Sequence, residues 1–431
     1  MSAGEASGDA YGAVLIAAMR ERLPQASFTG LGGSQMEAAG QLRVVKAEDV
    51  AVMGLTEILR HIPHIYASYR RLVGSIRRDR PDIAVLIDFP DVNFRLAKHL
   101  RRAGVPVVWF VSPQLWAWKR RRLRWVQQRV DKMLVIFPFE EIFYRQRGVD
   151  AEFVGHPLSG SAVMTMSRMD YAEQFRLDPE KTWIALLPGS RWKEIRANLP
   201  ALHELAMSDL ISSSAAYTTF DGDTTRQPSN PAAHTRYEFL LPVASTINTV
   251  ALQKYIGELN AEHLKYFGPE ASTLRLTLVP NAAEALFHAR ASVVASGTAT
   301  VLAAIVGNPF VVVYRVSALT FALAKKLVEY PEELNAKPDL HGNLPVSMVN
   351  LIAQQRLIPE LLQGDFTAAN VASALTPLLI DGPERERQIC GLSEVRRRLV
   401  PEEGAEETAN ASPIARVADA VVRLLSTVHH A

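Results

Sequence analysis

The feature that most constrains this chain is a series of short, uninterrupted apolar runs separated by segments of helical length. "IAVLIDFP" from Ile83, "VPVVWFVSP" from Val105 and "KMLVIFPF" from Lys132 form one set. "WIALLPGS" from Trp183, "LRLTLVP" from Leu274, "ASVVASG" from Ala291 and "PFVVVYR" from Pro309 form another. The runs are rich in β-branched residues, lack polar alternation and stop at Gly, Pro, Ser or Asp. A strand that is apolar on both faces is covered on both faces, which is the condition of a parallel sheet between helical layers. The expected fold class is therefore α/β, with two Rossmann-like doubly wound domains.

The first set ends near "FVGHPLSG" (Phe153 to Gly160) and the second begins at Trp183. This spacing predicts an N-terminal domain over residues 1–158, a second over 159–380 and a helical segment over 381–431. Residues 212–236 are rich in Ser, Thr and Pro and read as a surface insertion. No apolar run approaches the roughly 18–20 residues that span a bilayer, and no basic region followed by an apolar core marks a secretory signal. Cys390 is the only cysteine, which excludes an intrachain disulfide and suits a reducing, cytoplasmic compartment.

A formal net charge of +2 excludes the strongly basic surface of a general nucleic-acid binder. Charge is nevertheless concentrated in "WAWKRRRLRW", where Lys119, Arg120, Arg121, Arg122 and Arg124 lie among Trp116, Trp118 and Trp125. That stretch reads either as a solvated basic face or as a contact for a phosphate-bearing or anionic-membrane partner. No nucleic-acid motif accompanies it.

Ligands of parallel sheets collect at the carboxyl ends of the strands, and four stretches belong there. The opening "GEASGD" supplies Ser7, Gly8 and Asp9 on a small-residue turn suited to a sugar or phosphate, with Glu5 as a further catalytic candidate. Such a turn hangs from a strand, and only Met1, Ser2 and Ala3 precede it, so a short hydrophobic strand is expected upstream. "IDFPDVN" places Asp88 directly after a strand, with Asp91 and Asn93 close by. Asp88 is suited to general-base work, whereas Asp91 fits either that role or a helix N-cap. In "LLPGSRWKEI", Gly189 permits close backbone approach, and Ser190 and Arg191 offer donors to a diphosphate. In "ASGTATVLAAI", a strand ends at Ser296, Gly297 and Thr298, and the helix from Ala299 and Thr300 presents its positive end to an anion. His156 of "VGHP" reads as a substrate contact or a hinge. Two weaker signals are set aside: Asp221 and Asp223 of "DGD" sit in the polar insertion, and His61 and His64 lack further ligands.

Taken in order, "SAGEASGD", "AVMGLTEIL", "IDFPDVNFRLAK", "VSPQLWAWKRRR", "FPFEEIFY", "FVGHP", "LLPGSR", "ASGTAT" and "SMVNLIAQQRLIPELLQ" resemble the lipid-A-disaccharide synthase family, from residue 2 to about 366. The resemblance implies a glycosyltransferase-B fold with its active site between two domains. It implies inverting transfer from UDP-2,3-diacylglucosamine to 2,3-diacylglucosamine 1-phosphate, without a metal or other cofactor, at the cytoplasmic face of the inner membrane. It adds Arg315, Asn350, Glu360 and Gln363 to the substrate-binding set, and Trp116, Arg120 and Arg121 to the lipid and phosphate contacts. A homo-oligomer is left open. Leu302 stands where the family pattern has a glutamate, so weaker UDP binding is expected. The link over 330–350 is longer than usual for the family. Other readings are another UDP-sugar transferase, a UDP-N-acetylglucosamine epimerase, or a weakened homologue that binds sugar nucleotide or membrane.

Overall fold

The structure, a computed structural model, describes residues 1–50, 55–160, 164–207, 236–268, 276–401 and 412–429. Asp221, Asp223 and the insertion short of Arg236 fall outside the described residues, as do the side chains of His61 and His64. The chain forms two compact units. The first comprises Met1–Gly160, Val328–Leu334 and Arg398–Ala431, and the second Ser161–Leu327 and Asn335–Arg397.

The first unit runs β1 (Ser2–Ala3), α1 (Ala6–Arg22), β2 (Phe28–Gly32), α2 (Ser34–Ala38), β3 (Gln41–Lys46), α3 (Ala47–Val50) and α4 (Leu55–Arg78). It continues with β4 (Ala84–Ile87), α5 (Pro90–Arg102), β5 (Val107–Phe110), α6 (Leu123–Arg129), β6 (Lys132–Val135), α7 (Pro138–Arg145) and β7 (Ala151–Phe153). The strands lie in the order β3-β2-β1-β4-β5-β6-β7, and every pair is parallel.

The strand that carries the opening loop is therefore Ser2–Ala3 itself, two residues long at the middle of the sheet. Ser2 pairs with Leu31 on one side and Leu86 on the other, and Ala3 with Ile87. The Met1 ammonium donates to the Thr29 carbonyl at 2.7 Å. Burial drives its pKa down to about 6. Gly30, at φ +139°, leaves room for the Met1 carbonyl, which a Cβ there would meet at 2.1 Å.

The second unit runs α8 (Arg168–Phe175), β8 (Thr182–Leu187), α9 (Trp192–Met207), β9 (Tyr237–Pro242), α10 (Thr249–Phe267), β10 (Leu276–Val279) and α11 (Ala282–His288). Then come β11 (Ala291–Ala295), α12 (Thr298–Val306), β12 (Phe310–Tyr314), α13 (Ala318–Leu327), α14 (Met348–Ala353), β13 (Glu360–Leu362), α15 (Ala368–Leu379) and α16 (Pro383–Arg398). Its sheet, β10-β9-β8-β11-β12-β13, is also parallel throughout. Ile184, Leu186, Val293 and Val311 of the strands pack with Leu199 and Leu202 of α9 and Leu375 of α15 in one core. The stretch 381–431 is divided between the units. Helix α16 lies almost wholly in the second, and α17 (Pro413–His429) packs on α1 of the first, where Arg22 Nε meets Asp419 at 2.5 Å.

The seven apolar runs all fall on strands. The signals for β2, β3, β7, β9 and β13 are weaker. β2 ("FTGLG") carries two glycines, and β7 and β13 are edge strands of three residues. Each sheet reverses its winding between two neighbours, β1 and β4 in the first unit and β8 and β11 in the second. The crevice beyond the carboxyl ends of such a pair is where open α/β sheets bind ligands.

Candidate active site

At the β1/β4 reversal, the opening turn and the "IDFPDVN" loop lie side by side. Gly4 is packed against the Phe89 ring, where a Cβ would come within 2.3 Å of Cδ1. Gly8, buried in the first turns of α1, sits against Ala3 and Ile87. Glu5 is the exposed N-cap residue of α1, and Ser7 is exposed in its first turn. Asp88 leaves β4 half-buried, and its N–H donates to Phe110 O at 3.0 Å. Asp88 and Phe89 have φ of +45° and +51°. Two consecutive left-handed non-glycine residues cost about 1–3 kcal/mol each and persist only where the surroundings enforce them.

Asn93 supplies that enforcement. It is fully buried, donates Nδ2 to Asp88 O at 2.7 Å and accepts the Ser2 hydroxyl on Oδ1 at 2.7 Å. It ties β1 to the exit of β4 and fixes the Asp88 backbone. Tyr11, which sequence reasoning missed, also faces this point. Burial and the Asp88 charge push its phenol up to about 12. Its signal was its place two residues after Asp9, about one turn along the helix that opens at the site.

Two residues of this set have different duties from those expected. Asp9 accepts the N–H groups of Gly33 at 2.8 Å and Met36 at 3.1 Å on Oδ1, and of Gln35 at 3.0 Å on Oδ2. It caps the start of α2, so its lone pairs serve the fold. Asp91 is not the N-cap of α5, which is Phe89. It is exposed in the first turn of α5 and pairs with Arg122 at 2.9 Å.

The basic-aromatic stretch is also divided. Trp116 is a core side chain, 1% exposed, stacked edge-on to Phe139 and donating Nε1 to Glu140 at 3.0 Å. The expected contact of Trp116 with lipid is therefore overturned. Arg120 donates to the Glu329 carbonyl, and both Arg120 and Arg121 are exposed. Trp118 is exposed with the Lys119 ammonium 3.9 Å over its ring. His156 is buried, accepts the Leu158 N–H on Nδ1 at 3.2 Å and donates its own N–H to Leu399 O at 2.9 Å. Burial lowers its pKa to about 4. The enclosed, neutral ring orders the turn after it, and the backbone N–H of His156 anchors the returning chain, so His156 has a structural role here in place of the expected substrate contact.

At the β8/β11 reversal of the second unit, Gly189 has φ +129°, and Ser190 and Arg191 follow it. The Glu194 carboxylate reaches back to the Ser190 N–H at 2.9 Å and the Arg191 N–H at 3.3 Å, and Thr246 donates its hydroxyl to Ser190 O at 2.6 Å. This capping arrangement orders the turn. It occupies those two backbone N–H groups, and the Arg191 guanidinium lies 3.6 Å from the same Glu194 carboxylate. Glu194 and Thr246 were not singled out from the sequence. Beside this turn, Gly297 (φ +151°) faces open space, and Thr298 is exposed at the start of α12. The first N–H groups of a helix have no intrahelical acceptor, which is the geometry that suits an anion at Thr298 and Ala299. Ser296 donates its hydroxyl to Val346 O at 3.2 Å. Thr300 is buried and donates to Gly297 O at 2.8 Å, a structural role in place of the expected ligand contact. Leu302 is half-buried one turn along.

The four residues added by resemblance are committed to their own chain. Arg315 donates to Phe366 O and Ala197 O, with its guanidinium 4.6 Å over the Phe366 ring. Gln363 clamps the Val316 backbone, accepting its N–H at 2.7 Å and donating to its carbonyl at 2.8 Å. Asn350 exchanges two bonds with Ile358 and donates to Glu360 at 2.8 Å. Glu360 also accepts the Ser347 N–H at 2.8 Å, and burial raises its pKa. These contacts support the β12 exit and the loop before α14. Among the described residues, no group of three His, Cys, Asp or Glu is placed to hold a metal ion.

Comparison with known proteins decides the relationship. The profile of the lipid-A-disaccharide synthetase family matches residues 1–219 and 249–412. The chain belongs to the lipid-A-disaccharide synthase family. It is 47% identical over 420 residues to the lipid-A-disaccharide synthase of Acidobacterium capsulatum, covering 97% of this chain and 94% of that one. It is 43% identical over 400 residues to that of Koribacter versatilis, covering 93% and 92%. Among solved structures, CalG4, the calicheamicin glycosyltransferase, aligns with a TM-score of 0.53 at 16% identity, covering 98% of this chain and 96% of CalG4. The UDP-GlcNAc 2-epimerase of Neisseria meningitidis aligns at 0.51 and 10% identity, covering 97% of each chain. At such identities the structural likeness establishes the fold, a glycosyltransferase-B arrangement of two α/β domains, and the family membership separates transferase from epimerase. No helix among the described residues is long and apolar enough to cross a membrane.

Proposed function

We propose that this lipid-A-disaccharide synthase joins UDP-2,3-diacylglucosamine to 2,3-diacylglucosamine 1-phosphate with inversion at the anomeric carbon, releasing UDP, and that Asp88 is the base. The observation that carries the assignment is the strained exit of β4. Asp88 is held in a left-handed conformation by buried Asn93, beside the exposed start of α1. In a single displacement the acceptor oxygen attacks the anomeric carbon while Asp88 takes the hydroxyl proton. The bond to the diphosphate breaks, and its electron pair leaves with UDP. Such a base contributes about 10²–10⁴-fold.

Glu5 and Ser7 are exposed on the same turn and serve the acceptor sugar or its phosphate. Arg191 and Ser190, with the N–H groups that open α12, stabilise the charge growing on the leaving diphosphate. Lys119, Arg120, Arg121 and Arg124 are exposed cations of the basic stretch and suit phosphate or an anionic leaflet. Contact with the cytoplasmic face of the inner membrane belongs to this reading because both substrates carry acyl chains. Incubating the protein with both diacyl sugars and measuring UDP and disaccharide tests it. Release of UDP without disaccharide, or neither product, defeats the assignment.

A further inference from the structure

Helix α1 brings one more polar side chain to the β1/β4 reversal. Residues three and four apart share a face of a helix, so Ser7 and Gly8 both neighbour Tyr11 on α1. Gly8 lies over Ile87, the residue before Asp88, where a Cβ would stand 3.6 Å from Cγ2 and 3.8 Å from the carbonyl oxygen. About one turn further on, the Tyr11 ring meets that of Phe110, with 6.2 Å between centroids and 52° between planes. Ile87 and Phe110 are partners at the ends of β4 and β5, and Phe110 O accepts the Asp88 N–H at 3.0 Å. Tyr11 therefore stands over the two strand exits between which Asp88 emerges.

The β5 exit is held as firmly as that of β4. Val111 has φ +62°, a costly conformation for a β-branched residue that persists only where its surroundings enforce it. Its N–H donates to Leu134 O at 3.1 Å, and its carbonyl accepts the Trp109 Nε1–H at 3.1 Å. Phe110 is fully buried, so the half-buried Tyr11 ring rests on a fixed support. The Tyr11 hydroxyl, by contrast, has no hydrogen-bond partner among the described residues. Burial, and then the Asp88 charge, keep that phenol protonated up to about pH 12. It is a neutral donor beside the base and cannot take the proton itself.

We propose that Tyr11 is a further acceptor-binding residue, its hydroxyl donating to an oxygen of the acceptor sugar next to the hydroxyl that Asp88 deprotonates. This rests on the reading of Asp88 as the base and of the first unit as the acceptor half. The Asp88 carboxylate can only accept, whereas the phenol donates. Two adjacent sugar oxygens therefore meet groups of opposite character, and the ring is held in one orientation for attack. The packing of Tyr11 on Phe110 sets where the donor sits.

The test is steady-state kinetics of Tyr11→Phe, which keeps the ring on Phe110 and removes only the hydroxyl. The acceptor KM is expected to rise about 2–10-fold, the size of one neutral hydrogen bond lost, with kcat changed less than KM. UDP affinity and melting temperature are expected to stay at the wild-type values. The rise in KM is expected to be constant between about pH 6 and 9, because the phenol keeps its proton throughout. Tyr11→Leu, which also removes the ring, is expected to lower the melting temperature as well. An unchanged acceptor KM in Tyr11→Phe overturns the proposal. So does a fall in kcat at constant KM with a displaced acid limb, since the phenol then acts through Asp88. Loss of UDP affinity and melting temperature in Tyr11→Phe also overturns it, by showing a structural role. In a protein with no transferase activity, calorimetry with a short-chain diacylglucosamine 1-phosphate decides. Weaker binding by Tyr11→Phe then supports the contact and removes only the functional reading, and equal binding overturns the contact.

Discussion

Glu140 offers a perturbation whose size and sign follow from the structure. Its carboxyl is enclosed on α7 and accepts the Ser112 hydroxyl at 2.7 Å, the Trp116 Nε1–H at 3.0 Å and the Phe137 N–H at 3.3 Å. These bonds anchor the loop that leads into Lys119–Arg122. Burial outweighs them and pushes the pKa up from 4.5 to about 7. A raised carboxyl pKa contributes stability that is complete below pH 4.5 and is lost as pH rises through about 7. At ~1.36 kcal/mol per unit, ionisation of Glu140 removes about 2.5 kcal/mol between pH 5 and pH 8. Glu140→Gln keeps an oxygen for Ser112 and Trp116 but has no titration, and its amide nitrogen cannot accept the Phe137 N–H. That loss costs about 1 kcal/mol at every pH. The variant is therefore expected to be less stable than wild type near pH 5 and to match or exceed it near pH 8. Paired urea unfolding of the two proteins across this range, followed by tryptophan fluorescence, measures the difference. A wild-type-to-variant difference independent of pH would refute the assignment of a near-neutral pKa to a buried Glu140.

Two further outcomes concern the donor half. Arg191→Ala is expected to weaken UDP binding by about 10–100-fold, since a charge-assisted bond is worth roughly 1.5–3 kcal/mol; unchanged affinity by calorimetry removes Arg191 from the site. Leu302→Glu is expected to tighten UDP binding by about 10–100-fold, because a carboxylate accepts the ribose hydroxyls and leucine accepts none. Equal or weaker binding in that titration shows that Leu302 only packs.

The parallel α/β architecture was legible because every strand signal used to infer it was apolar on both faces. The two-residue β1 was not legible, because its identity lies in its neighbours: Ser2 and Ala3 are strand only by pairing with β2 and β4. Loop positions were readable where chain order fixes them, as at Asp88 and Arg191. What their partners do was not. Nothing in "GEASGD" says that Asp9 caps a helix that begins 25 residues later at Ser34. Nothing in "WAWKRRR" distinguishes buried Trp116 from exposed Trp118, because that depends on Glu140 arriving from α7. Glu360 and Gln363, expected as ligand contacts from the family resemblance, likewise have polar atoms that close internal loops. Long-range hydrogen bonding decides each of these cases, and periodicity carries no record of it.

The central claim is that Asp88 is the base in disaccharide formation. It is tested most directly by measuring kcat for Asp88→Ala with both diacyl sugars, alongside Asp91→Ala and a UDP titration of each protein. The account predicts that Asp88→Ala loses about 10²–10⁴-fold in kcat with UDP affinity and melting temperature unchanged, while Asp91→Ala stays near wild type. Wild-type turnover by Asp88→Ala, with loss confined to Asp91→Ala, would contradict it.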